Sequence, residues 1–495
     1  MDHTDSPRAP AAHRDDAVAA RPDDAMPLSG IAARIHGDGP AATHARRLLR
    51  EFGAATADPD GSAPELSVAV DSFPAVRDWA QSGAMALTGR AGGPPLVAPG
   101  TSAAATRAAL AVFAALRHGD GAVDSALPGA EVLGERAALF GRGRNAPWSV
   151  GGAFRALPAA DGHLGISLPR PDDLTLLPAL IEGEPGRYPW RAVAEWARTR
   201  PAADAAARAQ LLGIAAAAVA DLPGRPRDEQ FRQRGERAII MRRGGFRRHR
   251  RPAPLVVDLT SLWAGPLCAH LLGMTGARIV KVESTRRPDG SRAGSRDFYD
   301  LMHAGHACVG LDLTTTDGVG TLAQLIDSAD LVLEASRPRA LRGLGIDAEA
   351  TVDSGTSWLS ITAYGRAGPW SDRVGFGDDV AAAAGAVIID EGEALPCGDA
   401  LADPVAGVHA AAAAAAVLAS DRAFLVDVSM RDVLAAALRD PVEAHEVVRG
   451  PDGHWRVRTA RAEFPVAAPC PRRAASAAAD LGADTTAVLS RWVGG

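Results

Sequence analysis

Asp403 stands in the run ALADPVAG, directly before Pro404 and a long Ala-rich stretch. In that setting its side chain can cap the helix that Pro404 opens. A carboxylate is also among the groups that form covalent acyl intermediates. The immediate neighbours leave both readings open. Lys281 and Glu283 lie two residues apart in ARIVKVE, which fits a salt bridge at a strand end. Lys281 is the only lysine among 53 basic residues, and the arginine excess fits codon drift in a GC-rich genome. His303, His306 and His409 are not at metal-ligand spacing with carboxylates, so no metal is expected. Cys268, Cys308, Cys397 and Cys470 are scattered without a C-x-x-C pair, which suits a reducing cytoplasm.

These residues need a scaffold. A length of 495 residues suggests two to four domains at roughly 100–200 residues each, and 47% hydrophobic residues supply a sizeable core. A formal charge of −6 gives no general reason to expect nucleic acid or an anionic membrane as partner. Residues 1–27 are polar and acidic, have no apolar run, and read as a disordered tail rather than a signal peptide. The alanine runs are too short and too weakly apolar to span a bilayer. Residues 28–225 form an Ala-rich region with helical periodicity, and 226–252 are dense in Arg and Gly and read as a solvated linker. A third region covers 253–440, and 441–495 form a C-terminal segment.

The pattern changes sharply after the linker. Residues 254–260 (PLVVDLT) are a short apolar run of the buried-strand type. A helix closing at Gly276 follows, then strands over 277–283, 306–313, 330–334 and 356–365, with a helix over 317–329. Strands alternating with helices predict an α/β fold with a Rossmann-like, doubly wound parallel sheet. No G-x-G-x-x-G follows the first strand, so a dinucleotide cofactor is not expected. The loops after Asp258, Glu283, Leu313, Glu334 and Tyr364 should surround one crevice at the carboxyl ends of the strands.

The stretch VVDLTSLWAGPLCAHLLGMTGARIVKVE resembles the opening of the class III CoA-transferase family. The resemblance continues through LDLTTTDG, ADLVLEASRPRALRGLGID, SITAYGRAGPWSDRVGFG, GDALADPVAGVHAA and VDVSMRDVLAAAL. It implies a transferase acting on acyl-CoA thioesters, with Asp403 as the nucleophile. Acyl-CoA and a carboxylic acid would be its substrates, with no tightly bound cofactor. It also implies that Ser261, Leu262, Trp263 and Ala264 line the cofactor and active site. Leu311, Ser336, Ala340 and Leu344 would hold the adenine and pantetheine region, Arg337 would meet a phosphate, and Tyr364 would lie near the substrate. The alternatives for Arg337 and Tyr364 are a surface arginine and a core aromatic. The family's Asn-Arg-Gly-Lys is HAGHACVG here, and its Glu-Asn-Phe is Glu334-Ala335-Ser336. The racemase subgroup's catalytic His is replaced in Gly375-Phe376-Gly377, which disfavours proton abstraction at this position.

The first half resembles the same family in a different order. Residues 79–116 resemble the segment that recurs at 381–418, and setting Gly83 against Gly385 brings Thr101 opposite Asp403. Residues 142–183 resemble the family's smaller α+β domain, and 479–492 its terminal helix. A rearranged, fused member of the interlocked type is therefore expected, as a cytoplasmic homodimer without nucleic-acid or membrane partners. The fused chain could make part of the interlocking internal. The competing functions are an acyl-CoA racemase or isomerase on the same fold and a catalytically weak CoA-binding subunit.

Overall fold

The computed structural model describes residues 25–57, 66–118 and 127–493. Most of the expected tail, residues 1–24, lies outside them. The chain opens with a three-stranded parallel sheet. β1 (Ala32–His36) leads into α1 (Gly39–Glu51), and β2 (Ala55–Thr56) and β3 (Leu66–Ala69) pair on either side of β1. Next come α2 (Ala75–Gln81), α3 (Ser102–His118) and α4 (Glu135–Leu139). β4 (Phe154–Pro158), β5 (His163–Ser167) and β6 (Ala215–Ala218) then form an antiparallel sheet. Between β5 and β6 the chain makes α5 (Pro171–Thr175), α6 (Leu177–Ile181), α7 (Pro189–Ala197) and α8 (Ala202–Leu211). Leu164, Ile166, Leu180, Val193 and Trp196 close a separate core there, which makes this the smaller α+β unit.

The Arg-rich stretch read as a linker is structured. It supplies α9 (Glu229–Arg234) and β7 (Ile239–Phe246). The reason lies in where its arginines go. Arg234 enters a buried site between Asp427 and Asp432, donating to Asp432 at 2.9 Å. Arg247 and Arg251 close on the buried Asp330 at 3.0 and 2.7 Å. Guanidiniums with buried carboxylate partners pin the segment down rather than keeping it in water.

The second half alternates strand and helix: β8 (Leu255–Asp258), α10 (Ala264–Met274), β9 (Arg278–Ser284), α11 (Arg296–His303), β10 (Ala307–Leu311), α12 (Thr316–Ser328), β11 (Leu331–Glu334), α13 (Pro338–Arg342), α14 (Ala348–Asp353) and β12 (Ser357–Thr362). Then come α15 (Gly377–Ala384), the hairpin β13 (Val387–Asp390) and β14 (Glu393–Pro396), α16 (Ala402–Ala419), β15 (Arg422–Ser429) and α17 (Met430–Leu438). The seven-stranded sheet runs β10-β9-β8-β11-β12-β15-β7, all parallel except β7, which pairs antiparallel with β15. In chain order its parallel strands form the doubly wound pattern, and the order reverses between β8 and β11. β8, β11 and β12 are buried along their length, as continuous apolar strands of a covered parallel sheet should be. The chain ends with the antiparallel strands β16 (Glu446–Arg449), β17 (Trp455–Arg458) and β18 (Glu463–Pro465), and with α18 (Thr485–Trp492) against β10 and α12.

α16 is the centre of the largest core, with α10 and α17 on the sheet side and α3 from the first half against it. Its alanines and valines are nearly all buried. Among the described residues it is the one helix long and apolar enough to cross a membrane, and it lies inside the fold. Small side chains allow close helix contact. A Cβ at Gly407 would stand 2.6 Å from the carbonyl oxygen of Ala264. The pairing of Gly83 with Gly385 also has a structural counterpart. Each has positive φ just past a short helix, and a Cβ on either would strike a proline backbone, Pro469 or Pro223, within 3 Å.

Candidate active site

The carboxyl ends of β8 and β11 open onto a cavity of about 510 Å³. Ser261, Leu262, Trp263 and Ala264 line it from the loop after β8, and Ala335 from the loop after β11. Val374, Gly375, Phe376, Gly377 and Asp378 form another side at the start of α15. The first half supplies the remaining wall, including Arg136, Phe140, Arg142, Gly151 and Ser167. Asp403 lines the same cavity from the first turn of α16.

The turn before α16 is anchored from three directions. Thr88 Oγ1 accepts from the Gly398 N–H at 2.9 Å, and Asp378 Oδ1 accepts from the Ala400 N–H at 2.9 Å. Arg136 donates Nε to Asp399 Oδ2 at 2.9 Å and Nη2 to Asp399 Oδ1. Ala400 takes φ 45°, a left-handed conformation that costs an alanine ~1 kcal/mol or more. These anchors hold it there. The Asp403 N–H then donates to the Ala400 carbonyl at 2.9 Å, and the Ala264 backbone at the start of α10 favours the ionised Asp403 carboxylate. Gly377 lets α15 pass close by, since a Cβ there would fall 2.1 Å from Asp403 Oδ2.

Burial pushes the Asp403 carboxyl up to about 7, while Arg136 draws it down and Asp378 pushes it further up. Burial and then Asp399 raise Asp378 to about 6. Asp379 faces the smaller unit and accepts from Ser167 Oγ at 2.7 Å and from the Phe376 N–H at 3.0 Å, and burial raises it to about 7. Arg136 lies 4.9 Å over the Trp263 ring, which meets Phe298 edge-on at 5.7 Å. A desolvated carboxylate held near neutrality, among small residues and beside one guanidinium, is equipped for nucleophilic or proton-transfer chemistry.

The other expected positions are dispersed. Leu311 is buried in the core beside α12, and Leu344 packs against that core half-buried. Ser336 donates to Glu334 Oε1 at 2.9 Å, while Arg337 and Ala340 are exposed on the loop and short helix beyond β11. None of these five lines the cavity. Tyr364 does not line it either. It is 1% exposed, meets Trp370 edge-on at 5.3 Å, and belongs to the core, while Ile361, Thr362 and Ala363 before it line the cavity. Lys281 donates to Asp289 Oδ2 and to the Thr260 carbonyl, both at 2.9 Å, and Glu283 is paired with Arg292 at 2.8 Å. Both are ion pairs at the end of β9, with partners from the loop that follows. His303, His306 and His409 are buried, and no group of metal-ligating side chains occurs among the described residues.

Sequence reasoning missed Arg136, Arg142, Asp378 and Asp399. Asp399 and Asp378 sit inside GDALADPVAG and beside GFG, where an acid next to a candidate nucleophile was a usable signal. Arg136 carried none, because its partner is 263 residues away.

Residues 254–464 match the model for CoA-transferase family III. The chain is 28% identical over 230 residues to a succinyl-CoA–D-citramalate CoA-transferase of Chloroflexus aurantiacus, covering 42% of this chain and 56% of that one. It is 32% identical over 210 residues to a probable fatty acyl-CoA transferase of Mycobacterium tuberculosis, covering 38% and 52%. A CAIB/BAIF family protein from Brucella suis, whose crystal structure is known, matches with 21% identity and a TM-score of 0.37 over 42% of this chain and 66% of that one. The chain spans about half the length of the curated relatives it matches. The doubly wound sheet and the carboxylate at the head of α16 thus lie in the segment, residues 254–464, that matches CoA-transferase family III.

Proposed function

We propose that this protein transfers coenzyme A between an acyl-CoA thioester and a carboxylic acid, with Asp403 as the covalent nucleophile. The observation that carries this reading is the half-buried Asp403 carboxylate, raised to about 7 and lining a cavity at the switch point of the sheet. CoA would approach over the loops after β8 and β11, past Ser261, Leu262 and Trp263, with Arg337 further out on the same side. The carboxylate attacks the thioester carbon, and CoA leaves as thiolate from a mixed anhydride. The thiolate attacks the Asp403 acyl carbon of that anhydride, releasing the first acid and forming an aspartyl-CoA thioester. The incoming carboxylate attacks this thioester, and the returning thiolate takes its acyl group and frees Asp403. Splitting the exchange in this way replaces one difficult step by several easier ones.

The site residues fit these steps. A carboxylate poised near 7 is substantially ionised at neutral pH and poorly solvated, which favours attack. Gly377, Ala264 and Ala400 leave room for a thioester at Asp403. Incubation with acyl-CoA followed by hydroxylamine, then mass mapping, should place a hydroxamate on Asp403. No adduct there with any of several acyl-CoAs would defeat the reading. A homodimer in a reducing cytoplasm belongs to the same proposal, and light scattering on the full chain measures its mass.

Asp378 favours a second reading. It lines the same cavity at a raised value of about 6, so two carboxyl groups could exchange a proton at the α-carbon of a bound acyl group. Deuterium wash-in to a branched acyl-CoA, without CoA exchange between acids, would select it over transfer.

A further inference from the structure

We infer that Arg472, in the C-terminal segment, is a positioning residue for the active site: by clamping Glu135 it fixes α4 so that Arg136 holds Asp399 on the wall of the cavity that Asp403 lines. The inference rests on the CoA-transfer reading and adds to it a residue outside the cavity. It starts from a strap. Residues 466–484 join β18 to α18 without forming a helix or strand, and they cross from the first half to the sheet. At one end the Ala467 N–H donates to the Ala80 carbonyl at 2.8 Å. Pro469 follows, so close that a Cβ on Gly83 would fall 2.9 Å from its Cα. At the other end the Ala478 N–H donates to Asp300 Oδ1 at 2.8 Å. Arg472 lies between these ends. Its Nε and Nη2 each donate to Glu135 at 2.8 Å, and its Nη1 donates to His270 Nε2 on α10 at 3.0 Å.

Glu135 is fully buried and opens α4. Burial pushes its carboxyl up, and Arg472 draws it back. A two-point contact between guanidinium and carboxylate fixes orientation as well as charge. α4 has only five residues, too few to hold a direction by its own hydrogen bonds. Its direction therefore comes from its anchors. Glu135 and Arg136 are consecutive and project about 100° apart around the helix. Glu135 faces the strap. Arg136 faces the site, where it holds Asp399 through Nε at 2.9 Å and through Nη2. Asp399 belongs to the turn before α16, and Arg136 also draws the Asp403 carboxyl down. Phe140, which ends α4, lines the same cavity. A displaced α4 would move a cation and a ring of the site together. The charged and titratable groups along this chain of contacts are Glu131 and His270 beside the Arg472–Glu135 pair, and Asp378, Asp399 and Asp403 beside Arg136.

The test uses the full chain, with Arg472→Gln, Arg472→Lys and the double variant Glu135→Gln/Arg472→Gln. CoA transfer, its pH profile and the urea midpoint are measured for each. Arg472→Gln should lower kcat roughly 10-fold with KM little changed, since a misplaced group costs rate more than binding. Its acid limb should move upward by about half a pH unit as Arg136 retreats from Asp403. Arg472→Lys should recover part of both. The double variant strands no buried charge, so its urea midpoint should return toward that of the unaltered protein, while kcat and the acid limb stay displaced. It also keeps the test readable if Arg472→Gln alone folds poorly. A folded Arg472→Gln with unchanged kcat and acid limb overturns the inference. So does a double variant that recovers both, which would leave Arg472 as a counter-charge only. Absence of transfer in the unaltered protein strikes the CoA reading instead. The inference is then read from unfolding alone. The pH midpoint at which Asp403→Asn and its parent diverge in stability should rise when both carry Glu135→Gln/Arg472→Gln, and an unmoved midpoint overturns it.

Discussion

The Asp403 side chain carries two consequences of one environment. In the proposed role, its raised value means that the ionised, attacking form is lost as pH falls through about 7, so the rate of adduct formation should decline on the acid side with a midpoint there. Asp403→Asn should lower turnover by roughly 10³-fold or more, since the amide keeps the volume but not the nucleophile. The same shift works against stability. A carboxyl raised by folding stabilises the fold below its unfolded value, near 4, and this contribution is lost as pH rises through about 7. Asp403→Asn should therefore gain on the unaltered protein in urea midpoint as pH rises from 5 to 8. A parallel pair of curves would refute that linkage. Arg136 acts on the same group from a distance. Arg136→Gln leaves the buried Asp399 unpaired, at a cost of about 3–5 kcal/mol, and should move the acid limb of the rate profile upward. A destabilised variant whose limb stays at its original pH would reduce Arg136 to a structural ion pair.

At the level of elements, α10, α11 and β10 enclose His270, His303 and His306, with ring centres 5.6 to 6.5 Å apart between successive rings. Burial holds all three well below the ordinary imidazole value, His270 and His306 at about 3, with Arg472 adding to the effect at His270 and Lys281 at His303 and His306. A depressed value means that stability is present above the unfolded value near 6.5 and lost as pH falls below it. His306→Phe should flatten this loss by about 1.4 kcal/mol per pH unit between 6 and 4, measured as the difference in unfolding free energy from the unaltered chain. Strands β8 to β12 of the large sheet were legible in the sequence, while α11 was not expected. PLVVDLT, ARIVKVE and DLVLE each became a strand within a few residues of its expected ends, because buried parallel strands are written as short, mostly apolar runs rich in β-branched residues. β7 was not legible, because AIIMRRGGF mixes an apolar start with arginines whose partners, such as Asp353, come from distant elements. Tyr364 was legible as an aromatic but not as a direction, since it lies two residues past the end of β12, where its ring turns into the core against Trp370.

At the scale of the whole molecule, neither half completes the site. The sheet brings Asp403 and the loops after β8 and β11, and the first half brings Arg136, Phe140, Arg142 and Ser167. The seam is also apolar: Phe154 and Ala156 of β4 pack on Ala382 of α15, and α3 covers α16. A chain begun at residue 226 should expose that face, bind a hydrophobic dye and form no adduct at Asp403. A soluble, active fragment would show that the first half is dispensable. The buried ion pair at the end of β9 has a practical consequence for following this assembly. Lys281 is the sole lysine and is 1% exposed, so a lysine-specific protease has a single internal bond to cut and reaches it only when the sheet opens. Cleavage into two fragments therefore reports unfolding of the Rossmann-like sheet from one known position, without any added label.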